Sequence, residues 1–162
     1  MKDAILTASA DLPEQTYTAG DAVIVEGERQ GCLHVLVSGS VEVTRAGVPV
    51  ATIDQAGAIF GELEALLDAP ATATVTARVD CRFRFTDHPE EFLTSQPAVA
   101  LAVATTLAQR LDALTRYLVD VRQQYSGRDD HLGMVDVVLE SLIHHQDAPP
   151  DPGSDREIQA PY

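Results

Sequence analysis

Glycine divides the first half of this chain into short β-forming runs, and that pattern limits the possible folds more than any other feature. Gly20, Gly27, Gly39, Gly47 and Gly57 each separate stretches rich in Val, Ile, Leu and Thr. Several stretches alternate. Leu33, Val35 and Val37 share one face, and Val41 and Val43 follow after Ser38-Gly39-Ser40. Residues 72–79 put Ala73, Val75, Ala77 and Val79 on one side and Thr72, Thr74, Thr76 and Arg78 on the other. A period of two, broken by turns at such short intervals, predicts many short antiparallel strands in a sandwich or jelly roll. The roll is expected over residues 15–86.

The second half has a different period. Asp87-His88-Pro89-Glu90-Glu91 reads as a helix start, with Asp87 as the capping acid and a proline in the first turn. Pro97 opens another helix, and no glycine or proline interrupts the chain from there to Tyr125. Leu107, Leu111, Leu114, Leu118, Val121 and Tyr125 are spaced 4, 3, 4, 3, 4. That 3.5-residue repeat favours pairing with another helix along a seam, so a homodimer through the 97–125 helix is expected. The alternative is that the stripe packs on the roll. Ser126-Gly127 ends this helix, and Asp129 or Asp130 caps a last amphipathic one over 129–146, with Leu132, Val135, Leu139 and Leu142 on one face. Residues 147–162 are rich in Pro, Asp, Gly and Ser and are expected to be a disordered tail. The expected fold is therefore mainly β with C-terminal helices: one domain over 10–125, then the last helix and the tail.

Charge and composition exclude several functions. The 162 residues carry 25 Asp and Glu against 11 Lys and Arg, a formal net charge of −14. Such a surface repels nucleic acid and anionic lipid. Two cysteines without a CxxC pair suit a reducing compartment and no cysteine-rich metal site. No leader or membrane-length apolar run is visible, so a cytoplasmic location is expected. No nucleophile–base pair, Gly-x-Ser-x-Gly elbow or lysine-bearing phosphate loop occurs, and no enzyme is expected. His34 lacks the histidine and carboxylate neighbours of a metal site and reads as a core or rim residue.

The chemistry concentrates in residues 60–77, Phe-Gly-Glu-Leu-Glu-Ala-Leu-Leu-Asp-Ala-Pro-Ala-Thr-Ala-Thr-Val-Thr-Ala. A strand that enters a helix across a glycine aims main-chain N–H groups at an anion. This segment resembles the phosphate-binding cassette of cyclic-nucleotide-binding domains, which reads Phe-Gly-Glu-Leu-Ala-Leu and then Pro-Arg-(Ala/Thr/Ser)-Ala-Thr-Val. The glycines at 20, 27, 39, 57 and 61 also match that family's spacing, and the helices at 88–95 and 97–125 resemble its B and C helices. The resemblance implies an eight-stranded jelly-roll β-roll with a long dimerisation helix. It also implies a ligand site at Gly61, Glu62, Leu63, Glu64, Ala71, Thr72 and Ala73, with cyclic AMP or cyclic GMP as the candidate ligand. In that frame main-chain amides hold phosphate oxygens, Glu62 accepts the ribose hydroxyl proton and Thr72 touches phosphate or base. Read from the residues alone, Glu62 also fits a helix N-terminal acid, although its place inside Phe-Gly-Glu favours the ribose role, and Thr72 fits a strand threonine facing solvent.

One position departs from the family. Ala71 stands where the family has the phosphate-binding arginine. Removing a charge-assisted, bidentate pair from a buried site costs roughly 2–5 kcal/mol, or about 30- to several-thousand-fold in affinity. Arg116, with Thr115 beside it, is the candidate substitute, because relatives bring the long helix over the base. Its other reading is a solvated partner of Asp112 and Asp120. Arg78, Arg82 and Arg84 are expected to point outward. The 37 residues after Tyr125 are too few and too acidic for a helix-turn-helix module, so no DNA partner is expected. The expected function is that of a regulatory module with weak or no binding of cyclic AMP or GMP, acting through protein contacts with an effector the sequence does not name. The alternative is a true cyclic-nucleotide sensor that uses the amide cradle and a substitute arginine.

Overall fold

The computed structural model of the chain describes residues 2–125 and 133–144. Its strands are β1 (Glu14–Tyr17), β2 (Ala22–Ile24), β3 (Leu33–Ser38), β4 (Val41–Arg45), β5 (Val48–Ile53), β6 (Ile59–Phe60), β7 (Thr74–Ala77) and β8 (Cys81–Thr86). They form two four-stranded antiparallel sheets, in the orders β1-β8-β3-β6 and β2-β7-β4-β5. The helices are α1 (Lys2–Ala8), α2 (Glu62–Leu67), α3 (Pro89–Ser95), α4 (Pro97–Tyr125) and α5 (Gly133–His144). By their contacts the described residues fall into two compact units, one ending at Thr106 and the other beginning at Leu107.

The apolar faces of the two sheets meet in one core. Leu36 and Phe83 from the first sheet are buried in the same cluster as Val41, Val75 and Ala77 from the second. Each such large side chain, fully buried, stabilises by about 1.5–3 kcal/mol. Tyr17 and Phe60 meet the Phe83 ring edge-on, at centroid distances of 5.7 and 6.0 Å. The turns are as tight as the glycine spacing implies. Gly39 has φ 110°, and a Cβ there would lie 2.5 Å from the Cys81 sulfur. Only glycine fits that approach.

Several local expectations are corrected. Burial in β3 is not confined to the face of Leu33 and Val35: Leu33, His34, Val35 and Leu36 are all buried. The reason is α1, which was not foreseen. Its Ile5 packs with Val35 and with Ala102 of α4, so the strand is covered on the side away from the roll interior too. Arg84 points away from the roll interior, as Val35 beside it does, but is largely covered by α1. Its guanidinium donates to the Leu6 carbonyl at 2.8 Å and pairs with Glu14 at 3.0 Å, tying α1 to the sheet. The strand expected over 72–79 is only four residues long, and Val79 is exposed. Asp87 is not the cap of α3. His88 holds that position without a side-chain cap bond, and Pro89 fills the first turn.

α4 carries Val99, Ala102 and Val103 as buried residues at its start. Further along, Leu111 and Leu114 are 44% and 48% exposed. In α5, Leu139 is buried and Val137 is exposed. The expected helix end at Ser126-Gly127, the cap at Asp129 or Asp130, Leu132, and the tail over 147–162 lie outside the described residues.

Candidate functional site

The cassette starts where β6 ends. Phe60 pairs with His34 across the sheet, and the chain then turns at Gly61 with φ 86°. The turn presses against the segment before β3, so that a Cβ on Gly61 would run into the Cys32 carbonyl oxygen. α2 follows at once, and its first ladder bond runs from the Ala65 N–H to the Gly61 carbonyl at 3.1 Å. The amides of Glu62, Leu63 and Glu64 precede that bond and have no acceptor within the helix. Asp68 closes α2 in the left-handed conformation, φ 48°, with its N–H on the Glu64 carbonyl.

The chain returns through Pro70 to Ala71, which is held on both sides of its peptide. The Ala71 N–H donates to the Glu28 carbonyl at 2.9 Å, and its carbonyl accepts from the Gly27 N–H at 2.8 Å. The side chain is buried, 6% exposed, in the apolar cluster that includes Val23, Ile24 and Leu36. Thr72 and Ala73 are half-buried, and Thr74 accepts the Glu26 N–H on its hydroxyl at 2.9 Å. Gly61, Glu62, Leu63 and Glu64 thus lie at the turn and on α2, and Ala71, Thr72 and Ala73 on the segment that leads into β7, with a methyl group at Ala71.

Two carboxylates line this region. Glu62 is buried, 8% exposed, at the start of α2. Glu64 is 6% exposed, and its Oε1 accepts the Gly31 N–H at 2.7 Å. Sequence reasoning placed Glu64 in the cassette only for its amide and missed its side chain. The signal was available, because the family's motif has alanine at that place. A cleft of about 910 Å³ lies beside the cassette, lined among others by Arg29, Gly31, Glu64, Asp68, Asp87 and Glu90. Arg29 pairs with Asp68 at 3.1 Å, and both side chains are well exposed.

His34 sits on the β3 strand next to this region and is 4% exposed. Its ring stacks on Phe85 at a centroid distance of 6.2 Å and meets Phe83 edge-on at 6.1 Å. Its Nδ1 is buried and has no hydrogen-bond partner among the described residues. Burial lowers the imidazole pKa to about 4, against the opposing pull of the Glu64 carboxylate. Burial, with Asp87 and Glu64 nearby, pushes the Cys32 thiol up, which keeps it protonated and unreactive.

Thr115 and Arg116 belong to the second compact unit. The Thr115 hydroxyl donates to the Leu111 carbonyl at 2.9 Å, one turn back. Arg116 is exposed and pairs with Asp112 at 2.7 Å. That is the i,i+4 arrangement of a solvated helix surface.

Comparison with known proteins agrees with this geometry. The cAMP-dependent protein kinase regulatory subunit of Yarrowia lipolytica is 45% identical over 69 residues, which are 41% of this chain and 18% of that protein. The chain thus spans under a fifth of that relative's length. The Thermus thermophilus catabolite activator protein superposes with a TM-score of 0.62 at 23% identity, covering 74% of this chain and 59% of that one. A regulatory subunit of a cAMP-independent protein kinase A from Trypanosoma brucei superposes with a TM-score of 0.52 at 24% identity, over 64% of this chain and 40% of that one. The profile of the cyclic nucleotide-binding domain matches residues 14–94, from the start of β1 to the end of α3. The two-sheet roll, the Gly61 turn and that match together make this chain a member of the cyclic nucleotide-binding domain family.

Proposed function

We propose that this protein is a non-catalytic regulatory module whose roll binds cyclic AMP and cyclic GMP weakly or not at all, and which acts as a homodimer through protein contacts in the cytoplasm. The observation that carries this reading is Ala71: a buried methyl in an apolar cluster occupies the family's arginine position. Without a guanidinium, only main-chain dipoles are left to meet a phosphate. Arg116, the candidate substitute, is already paired with Asp112. The same roll occurs in a protein described as cAMP-bound and in one described as cAMP-independent, so the fold is compatible with either outcome.

The dimer rests on the 97–125 helix. Leu111 and Leu114 lie on its 3.5-residue stripe and are about half exposed, as unpaired seam positions are. Leu111→Glu with Leu118→Glu is expected to halve the mass measured by light scattering. An unchanged mass would contradict the seam. For the roll, the test is thermal unfolding with and without about 1 mM cyclic AMP or GMP. A ligand of about 1 μM affinity would stabilise by about 4 kcal/mol and raise the midpoint by about 10 °C. The proposal expects almost no shift. A large shift would favour the alternative reading, a true cyclic-nucleotide sensor working through a substitute arginine.

A further inference from the structure

We propose that His34 is a proton-operated latch for the cassette: while neutral it lets β6 and α2 close on the roll, and once protonated it releases that segment ahead of the rest of the fold. Such a latch goes beyond the weak-binder reading and does not depend on it. It gives the module an input of its own, a proton.

The attachment of β6 is slight. The strand is two residues long and lies at the edge of its sheet. Its ladder consists of two pairs, His34 with Phe60 and Val35 with Ile59. Two backbone bonds extend it: the Leu36 N–H donates to the Ala58 carbonyl at 2.9 Å, and the Gly57 N–H donates to the Leu36 carbonyl at 2.8 Å. A short edge strand opens at a lower free-energy cost than the core strands. The last pair of the ladder sets His34 opposite Phe60, the residue before the Gly61 turn. Residues paired in this way carry their side chains on the same face of the sheet. Both face the roll interior, where the Phe60 and His34 rings each meet Phe83 edge-on, at 6.0 and 6.1 Å. The imidazole therefore lies beside the ring that leaves when β6 lifts.

The surroundings of the ring suit the neutral form. His34 is 4% exposed, and its Nδ1 has no hydrogen-bond partner among the described residues. β6 presents Phe60 to it, and β8 presents Phe83 and Phe85. From α2 the Glu64 carboxylate acts on it, but that group already accepts the Gly31 N–H at 2.7 Å. Cys32 and Asp87 lie further out, around Glu64. A proton on this ring is thus a cation among aromatic side chains, with an N–H that lacks an acceptor. Lifting β6 brings the ring to water and removes that cost. The opened form therefore binds the proton more tightly, and acid shifts the population toward it. The closed ring titrates at about 4 and an exposed one at about 6.5. Between pH 7 and pH 5 the opened fraction should rise about 20-fold.

The test is amide hydrogen exchange of the ¹⁵N-labelled full chain at pH 7 and pH 5, corrected for intrinsic rates and expressed as opening equilibria. The Leu36 and Gly57 amides report on β6, and the β4–β7 ladder serves as the reference. In the natural protein the two reporters should open about tenfold or more often at pH 5 than at pH 7, and more often at pH 5 than the reference ladder. His34→Phe keeps an aromatic ring that cannot titrate and should hold the change below about threefold. His34→Gln serves as the second non-titrating variant should the phenylalanine form lose its native amide dispersion. An acid response of the natural protein below about threefold would overturn the latch. So would equal opening of reporters and reference at pH 5, because His34 would then meet water only when the whole roll unfolds. A full acid response in the His34 variants would overturn it as well, since another group, Glu64 first among them, would be the trigger.

Discussion

The two ends of the cassette, ten residues apart, have different chemistry. At the Gly61 end the backbone has φ 86°, a contact with the Cys32 carbonyl that excludes any side chain, and helix amides directly after it. At the Ala71 end the backbone is held just as firmly, by its two hydrogen bonds to Gly27 and Glu28, but the side chain is a methyl in the core. The Gly61 turn is part of the fold, because β6 and the 31–32 segment close on it. On the proposed reading an arginine at residue 71 would serve a ligand, and the two sheets form with Ala71 in its place. On that reading the cassette keeps its shape for stability without the family's arginine.

Four changes would break or sharpen that contrast. The largest effect belongs to Gly61→Ala. It adds a Cβ at positive φ and against a backbone oxygen, and should cost about 3 kcal/mol or more in urea unfolding. A loss under about 1 kcal/mol would mean the turn is not structural. Next is the acid sensitivity of His34, which holds the cassette strand from the facing side. Its pKa is about 6.5 unfolded and about 4 folded. The unfolded chain therefore binds the extra proton as pH falls between those values, and stability drops by up to about 3 kcal/mol across that window. His34→Phe should flatten this dependence in unfolding measured from pH 7 to pH 4, and should also remove the cost of the unpartnered Nδ1. An unchanged pH slope would show that another group titrates.

Ala71→Arg tests the other end. It should raise cyclic AMP affinity by about a hundredfold if the amide cradle is intact. It should also lower stability without ligand by about 1–3 kcal/mol, since a guanidinium enters a packed cluster. No gain in affinity would mean the site has changed beyond that position. The smallest effect is expected from Asp68→Gly. Glycine relieves the left-handed backbone at the α2 cap and should stabilise by up to about 1 kcal/mol, with the exposed Arg29 pair contributing little.

The roll was legible in the sequence because its turns need glycine for steric reasons, and Gly39 and Gly61 show contacts that permit nothing larger. Alternation in β3 misled, because Leu36, on the face opposite Leu33, Val35 and Val37, lies in the roll core, while Val35 packs outside it on Ile5 and Ala102. α1 left no trace beyond Ile5 and Leu6, too short a stripe to show a period. Arg84 read as a surface arginine because nothing local marks its acceptor, the Leu6 carbonyl 78 residues away. Glu64 was hidden for a related reason. Its position in a motif is visible in the chain, but its fold back onto Gly31 depends on a loop 33 residues distant.

The central claim is most directly met by isothermal titration calorimetry of the natural protein with cyclic AMP and with cyclic GMP. A cup without its arginine should show no binding tighter than about 10 μM for either nucleotide. A dissociation constant below that value for either one would contradict it.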